Sequence, residues 1–159
     1  MLTRDSLRSL LILENLSGEM LDLLIPFIDV REYEAREVIF REGDRSDYFY
    51  MIKNGKVLLE KRISSKITVS IASIKPGLSF GWSALLNDPL RLDAVCSEAS
   101  TIYALDAKES MQLMEDNPKM GYLVYRNLIR IVQRRLDLRT EQFVRVISKH
   151  PDIQPLLEE

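Results

Sequence analysis

Hydrophobic residues recur at helical spacing near the start of the chain. From about residue 6 to residue 28 they fall three or four positions apart, which is the period of an amphipathic helix. Ser17 precedes one such group and is a residue type that commonly caps a helix. Pro26 should end or kink the helix that follows it. The pattern therefore predicts an N-terminal helical segment that stops near Pro26.

The middle of the chain, from about Val30 to Leu105, has a different pattern. Short runs rich in β-branched and aromatic residues alternate with turn signals such as EGD, KNGK, KPG and NDP. Many short strands with regular turns are typical of an all-β barrel or sandwich. Within KNGK, Asn54-Gly55 predicts a hairpin, because this pair readily adopts the positive φ of a type I′ turn.

Helical spacing returns at about Ala107. A short helix is predicted up to Asn117-Pro118. A long helix is then predicted over residues 119–148, with apolar residues along one face and arginines over much of the remainder. At 1.5 Å per residue it measures about 45 Å, too long to bury its apolar face on a small barrel. We therefore expect a homodimer that pairs through this helix.

Composition and charge describe one ordinary globular domain. The chain has 159 residues, of which 46% are hydrophobic and 29% charged, with a formal net charge of -2. This charge gives no general attraction to nucleic acid or to an anionic membrane, and no stretch approaches the roughly 20 apolar residues of a membrane span. We expect a single domain over residues 1–150, followed by a loose tail over 151–159 that is too short for a DNA-binding domain.

The residues that carry chemistry in enzymes are sparse. Ser83 lies in GWSAL, which lacks the second glycine of a nucleophile elbow, and the only histidine is His150 near the tail. The sequence contains no metal-ligand cluster and no Walker-type phosphate loop. The single cysteine, Cys96, excludes an internal disulfide, fits a cytoplasmic setting, and is expected to be buried in a strand. We therefore predict a protein that is not an enzyme and has no metal or cofactor.

A series of spaced motifs resembles the cyclic-nucleotide-binding domain of catabolite-activator and cyclic-nucleotide-dependent kinase type. Val38-Ile39-Phe40, Glu42-Gly43-Asp44, Asp47 and Asn54-Gly55 follow the order and spacing of that family's entry strands. The stretch IASIKPGLSFG then resembles the family's Leu-x-Pro-Gly-x-x-Phe-Gly. The resemblance covers roughly residues 10 to 145. It implies a mainly β fold with flanking helices: a double-stranded β-helix, or jelly roll, between an N-terminal helical segment and the long C-terminal helix.

The resemblance also implies a ligand site in residues 80–95, which correspond to the family's phosphate-binding cassette. In the family, a short helix after a glycine directs backbone N–H groups at the cyclic phosphate, and an arginine on the next strand supplies the opposing charge. Gly81, Ala84-Leu85 and Arg91 match this pattern. The implied ligand is cAMP, cGMP or another small anion. The candidate ligand-binding residues are Gly81, Trp82, Ser83, Ala84, Arg91, Leu92 and Asp93.

Two positions depart from the family pattern. Trp82 stands where the family has a glutamate that accepts a hydrogen bond from the ribose 2′-hydroxyl, and an indole cannot accept one. Leu92 and Asp93 stand where small residues are usual. In a strand, Asp93 would point to the same side as Arg91 and would repel a phosphate or pair with Arg91. At ~4 Å and an effective dielectric of ~20, such a charge is worth about 4 kcal/mol, enough to reduce micromolar affinity to millimolar.

Three functions are consistent with these residues. The first is a ligand-sensing regulatory module that signals through movement of the C-terminal helix. The second is a degenerate domain that binds no nucleotide and serves for dimerisation or docking. The third is a truncated catabolite-activator-type transcription regulator without its helix-turn-helix, which would not bind nucleic acid by itself.

Overall fold

A computed structural model describes residues 2–157 and has the mainly β fold expected from the sequence. Within these residues the chain forms eight strands between helical segments. The strands are β1 (Ile28–Tyr33), β2 (Val38–Phe40), β3 (Tyr48–Asn54), β4 (Val57–Arg62), β5 (Thr68–Ile74), β6 (Ser79–Phe80), β7 (Asp93–Cys96) and β8 (Ser100–Asp106).

The strands form two four-stranded antiparallel sheets that face each other as a jelly roll. The strand orders are β1-β8-β3-β6 and β2-β7-β4-β5. Aromatic rings fill the space between the sheets. The Tyr50 and Phe80 rings stack with their centroids 5.2 Å apart, and the Phe40 and Tyr50 ring centroids lie 5.5 Å apart. Cys96 is fully buried in β7, as expected, and this burial raises the pKa of its thiol.

The hairpin predicted at Asn54-Gly55 is wrong. β3 pairs with β8 and β6, whereas β4 pairs with β5 and β7, so this turn carries the chain from one sheet to the other. Only Gly55 of the pair has a positive φ, +89°, and a type I′ turn requires two such residues. A Cβ at Gly55 would lie 2.6 Å from the carbonyl oxygen of Ala99, so the glycine serves a close crossing of two chain segments.

The N-terminal segment is helical, as predicted, but it is divided into short pieces. Helix α1 (Arg4–Arg8) is followed by a 3₁₀ turn (Leu11–Leu13) and helix α2 (Gly18–Leu24). The Ser17 hydroxyl caps α2 by accepting a 3.3 Å hydrogen bond from the Met20 N–H. Helix α2 ends at Leu24, and Pro26 lies in the 3₁₀ turn that follows it, so both sequence signals for this helix are confirmed.

The two C-terminal helices are α3 (Ala107–Asp116) and α4 (Pro118–Ser148), close to the predicted bounds. The first half of α4 is anchored to the N-terminal segment. Its buried Asn127 donates hydrogen bonds to the Ile12 carbonyl at 3.2 Å and the Glu14 carbonyl at 2.8 Å. Beyond Ile131 every residue of α4 is at least partly exposed, so the helix does extend past the surface it packs on.

A 3₁₀ turn (Gln154–Leu157) follows α4. The predictions for Met1 and for the last two residues of the tail, 158 and 159, lie outside the described residues. No helix between residues 2 and 157 combines the length and apolar character needed to cross a membrane.

Candidate functional site

The cassette begins at Gly81, which follows β6 and starts a short 3₁₀ helix, Trp82–Leu86, here called the cassette helix. Gly81 has φ +76°, a left-handed conformation that favours glycine. A Cβ at this position would lie 2.8 Å from a ring carbon of Tyr50, so the backbone approaches the barrel more closely than a side chain permits. Ala84 and Leu85 are buried and fix the cassette helix to the domain.

Arg91 lies in the loop before β7 and not on a strand, so its predicted position in a strand is wrong. The backbone of the preceding residue, Leu90, exchanges hydrogen bonds of 2.8 and 3.0 Å with residues 43–44. This holds the loop on the turn between β2 and β3 (residues 41–47), here called the entry turn. Strand pairing starts only at Asp93. The Arg91 side chain is 74% exposed, and its guanidinium lies 3.2 Å from a carboxylate oxygen of Asp88.

Asp93 pairs with Arg41 and not with Arg91. Its carboxylate accepts a 3.0 Å hydrogen bond from the Arg41 guanidinium and a 2.8 Å bond from the Glu42 N–H. Burial acts to raise the pKa of Asp93, but these two donors outweigh it and hold the pKa below its usual value. The predicted pairing with Arg91 fails because Arg91 is outside the strand, where alternation of faces does not apply. Asp93 instead fixes the entry turn through its hydrogen bonds to Arg41 and Glu42, and the charge of Arg41 balances that of the carboxylate.

Trp82 is held by contacts on two sides. Its indole N–H donates a 3.3 Å hydrogen bond to the Ser79 hydroxyl, which uses the only donor the ring has. On the ring face, the guanidinium carbon of Arg135 lies 4.1 Å from the ring centroid, within the range of a cation–π interaction. The tryptophan is therefore half-buried between the cassette and helix α4.

Arg135 is a residue of α4 that reaches the cassette. Besides stacking on Trp82, it donates a hydrogen bond to the Ser79 carbonyl. Burial, together with the nearby charge of Arg139, lowers its pKa to about 10. It therefore stays protonated at neutral pH, and within residues 2–157 no carboxylate lies within 4.0 Å of it. A charged, half-buried side chain thus joins the long helix to the cassette.

The remaining candidate residues complete the cassette loop. The Ser83 carbonyl accepts a 3.1 Å hydrogen bond from the Asp88 N–H, and Asp88 in turn contacts Arg91. The structure therefore connects Arg91 to the end of the cassette helix through Asp88. Leu92 is half-buried and packs against the core between the sheets.

A cavity of about 500 Å³ lies beside the cassette, between β5 and α4. Arg135 lines it, whereas none of the candidate cassette residues does so among the described residues. The cassette and the cavity are therefore two neighbouring regions that share one side chain.

Comparison with known proteins defines the family of the chain. Residues 30–117, more than half of its length, match the family described as the cyclic nucleotide-binding domain. The chain belongs to this family. The match includes the cassette, so Gly81, Arg91 and the departures at Trp82 and Asp93 are features of a true family member.

Relatives of this cyclic nucleotide-binding domain occur as parts of longer proteins. The Cyclic AMP receptor protein of Thermus thermophilus is 30% identical over 76% of the chain, which spans 55% of that protein. Glutaminase 1 of Bradyrhizobium diazoefficiens is 26% identical over 79% of the chain, which spans 20% of that protein. A putative cyclic nucleotide-binding protein from Geobacter metallireducens has the same fold, with a TM-score of 0.73 and 23% identity, covering 86% of this chain and 99% of that one.

Sequence reasoning missed Arg135, because it assigned the arginines of α4 together to the part of the helix away from its apolar face. A signal was present: Arg135 lies four residues after the buried Ile131 and seven after the partly buried Leu128, which places all three on one side of the helix. On α4 of this cyclic nucleotide-binding domain, the row of buried and partly buried residues thus ends in an arginine. Because this row packs against the domain, the charge of Arg135 lies next to the cassette.

Proposed function

We propose that the chain is a ligand-sensing regulatory domain in which binding at the cassette is linked to the orientation of α4. The observation that carries this proposal is the contact of Arg135 with Trp82 and with the Ser79 carbonyl. A ligand that moves Trp82 must alter the contact that holds the helix. The ligand and the helix orientation then share a coupling free energy.

The proposed ligand is a cyclic nucleotide, cAMP or cGMP, or another small anion. Its phosphate would be bound by the N–H groups of Trp82 and Ser83 at the start of the cassette helix and by Arg91. The Ala84 N–H lies in the same turn but already donates a 3.2 Å hydrogen bond to the Gly81 carbonyl. Arg91 is suited to this role because its only partner among the described residues is the exposed Asp88, and a surface pair of this kind is worth about 0–1 kcal/mol. Asp93 opposes phosphate binding less than its charge suggests, because Arg41 already balances that charge.

The same proposal includes a homodimer formed through α4. Exposed apolar residues follow one another along the helix at alternating steps of three and four, the repeat of a coiled-coil seam. These residues, here called the seam, are Tyr122, Tyr125, Ile129, Val132, Leu136, Phe143 and Val146. Arg139 occupies the one polar position of the repeat. A second copy of the chain, with the same seam, is the occupant whose spacing matches this face.

A second candidate is a domain that binds no nucleotide and serves for docking. Trp82 favours it, since the indole replaces a hydrogen-bond acceptor and its ring is already covered by Arg135. In either case we propose a regulatory and non-catalytic role without nucleic-acid binding by this segment.

A cytoplasmic setting is supported by the buried free thiol of Cys96.

A titration distinguishes the two candidates. Adding cAMP or cGMP to the purified protein while recording Trp82 fluorescence, the signal of the only tryptophan, should give a saturable change. Ligand at 100 times its Kd should stabilise the fold by about 2.7 kcal/mol. Arg91→Ala should weaken the affinity at least about tenfold, whereas Arg45→Ala, which removes another exposed arginine paired with an aspartate, should not. If millimolar cAMP and cGMP change neither fluorescence nor melting temperature, these two nucleotides are excluded as the ligand and the docking function is favoured.

A further inference from the structure

The hairpin formed by β4 and β5 extends past the rest of its sheet. Among residues 2–157, β7 pairs with β4 only over residues 57–60. From Lys61 to Val69 the two strands pair with each other alone, as a two-stranded segment that is here called the ribbon. All residues from Arg62 to Val69 are exposed. The ribbon therefore presents both of its faces to the surroundings of the domain.

One face of the ribbon is apolar. Arg62 is paired with Thr68, so Ile63 lies opposite Ile67, and the Ile63 N–H donates a 2.9 Å hydrogen bond to the Ile67 carbonyl. Val69 lies two residues along the strand from Ile67 and shares its face. The exposed fractions of Ile63, Ile67 and Val69 are 63%, 55% and 43%. Large aliphatic side chains that are grouped and exposed indicate a surface that contacts another molecule.

The turn at the end of the ribbon satisfies much of its own backbone. The Ser64 hydroxyl accepts 3.2 Å hydrogen bonds from the N–H groups of Lys66 and Ile67. The Ser64 N–H donates a 3.2 Å bond to the Ile67 carbonyl. Backbone groups with internal partners cost less free energy to move out of water, and a turn that is already ordered loses little conformational entropy on binding. The end of the ribbon is therefore suited to contact with an apolar environment.

The charges of the ribbon are all positive. Lys61, Arg62 and Lys66 lie in it, and no acidic residue occurs from Lys61 to Asn87. The Lys61 ammonium contacts the Glu42 carboxylate, whereas Arg62 and Lys66 form no ion pair within 4.0 Å among residues 2–157. The net charge of -2 belongs to the whole chain and conceals this local excess. A negatively charged surface would be attracted to the ribbon.

We propose that the ribbon docks on a membrane surface that contains anionic lipids. Ile63, Ile67 and Val69 would enter the boundary between the lipid head groups and the acyl chains, as the apolar face of an interfacial segment does. Arg62 and Lys66 would contact the lipid phosphates. Two cations and three aliphatic side chains give weak and reversible binding. The site is separate from the cassette and does not depend on the function proposed above.

Three other occupants fit the ribbon less well. A second copy of the ribbon would bring like charges together. A nucleic acid would find no aromatic side chain in residues 61–69 on which a base could stack. A stable protein interface takes about 20–30 residues on each side, and the ribbon has far fewer. A bilayer needs no complementary shape, and it offers apolar and anionic groups at adjacent depths.

Sedimentation with vesicles tests the lipid requirement. The purified protein should bind vesicles made of equal parts phosphatidylcholine and phosphatidylglycerol at least about tenfold more tightly than vesicles of phosphatidylcholine alone. Binding should weaken as salt rises, and soluble glycerol phosphate at millimolar concentration should not compete with it. Equal binding to the two kinds of vesicle, or no binding to the mixed vesicles at low salt, would overturn the assignment. Tighter binding of a single-stranded oligonucleotide than of the mixed vesicles would also overturn it.

A dye on the ribbon tests whether its end enters the bilayer. Ser65→Cys places a polarity-sensitive dye at the turn, while the natural Cys96 is buried and protected from labelling. The dye emission should shift to shorter wavelength when mixed vesicles are added. The same dye attached through Gln112→Cys, at an exposed position of α3, should show no shift. Equal shifts at the two positions, or a shift at position 112 alone, would contradict docking through the ribbon.

Paired variants test the apolar face. Ile63→Ser with Ile67→Ser should weaken binding to the mixed vesicles at least about tenfold. The matched control, Leu156→Ser with Leu157→Ser, changes two aliphatic residues of similar exposure, 68% and 60%, outside the ribbon and should have no such effect. An equal loss in both double variants would contradict the inference.

A second pair of variants tests the charges. Arg62→Ala with Lys66→Ala should remove the preference for phosphatidylglycerol. Arg145→Ala with Lys149→Ala, which removes two exposed cations at the same separation near the end of α4, should keep it. Loss of the preference in the α4 variant alone would assign the membrane contact to the helix and refute the ribbon. The ribbon variants should leave nucleotide binding at the cassette unchanged, so this proposal and the proposed function fail separately.

Discussion

Replacing Arg135 with alanine is the perturbation that most directly affects the contact between the long helix and the cassette. The side chain makes two favourable contacts, one with the Trp82 ring and one with the Ser79 carbonyl. It is also a half-buried cation without a carboxylate partner among residues 2–157. The variant therefore removes two favourable contacts and also the free-energy cost of burying an unpaired charge.

The two effects nearly cancel in stability. A desolvated cation–π contact contributes about 2 kcal/mol, and a hydrogen bond from a charged donor about 1.5–3 kcal/mol. Against this, the burial that lowers the pKa of Arg135 to about 10 corresponds to a cost of roughly 3 kcal/mol for the buried charge. Arg135→Ala should thus lower the free energy of unfolding by only about 1 kcal/mol, measured by urea denaturation.

The environment of Trp82, by contrast, should change clearly. Without the guanidinium above it, the indole becomes more exposed to water, and its emission should shift to longer wavelength. Arg134→Ala is the matched control, because it removes the neighbouring exposed arginine, for which no contact with Trp82 is seen. The reasoning is refuted if the two variants have the same emission spectrum, or if Arg135→Ala unfolds the domain.

Three further predictions concern the cassette, the entry turn and the seam. In urea denaturation, Gly81→Ala should destabilise the fold by about 1–3 kcal/mol more than Gly43→Ala. Both glycines have a positive φ, but of the two only Gly81 faces another side chain, at 2.8 Å, so equal losses of stability would contradict the close approach. Asp93→Asn should be less stable than the natural protein at neutral pH, and the difference should shrink as pH falls below about 4. The lowered pKa of Asp93 gives stability that is lost as the carboxylate protonates, so a difference that persists at low pH would argue against a role for the charge. Ile129→Glu should convert a dimer to a monomer in sedimentation velocity, whereas Gln133→Glu, off the seam, should not; a monomeric natural protein would remove the seam as an interface.

Local signals predicted the helices and strands well because each depends on the hydrophobic spacing and end signals of its own residues. The Ser17 cap, the effect of Pro26 and the bounds of the long helix all follow from nearby residues. The hairpin at Asn54-Gly55 failed because the partner of a strand is decided by the whole sheet. In a jelly roll, consecutive strands can belong to opposite sheets, and the short-range signal records only that the chain turns.

The site was predictable in outline and not in its contacts. Gly81 and the cassette helix follow from the motif, and the tight space at Tyr50 explains the glycine. The partners of Asp93 and Arg91 were not predictable, because they depend on where β7 begins and on a turn some fifty residues earlier in the chain. Arg135 is distant in sequence from Trp82, and its role became visible only when α4 was packed on the barrel.

The central claim, that ligand binding at the cassette is coupled to the orientation of α4, can be tested by energy transfer from Trp82. An acceptor dye placed on a cysteine at position 142 (Gln142→Cys) reports the position of α4, while the natural Cys96 is buried and protected from labelling. The account predicts that cAMP or cGMP changes the transfer efficiency with the same midpoint as the heat of binding, and that Arg91→Ala shifts both midpoints together. Heat of binding without any change in transfer efficiency would contradict it.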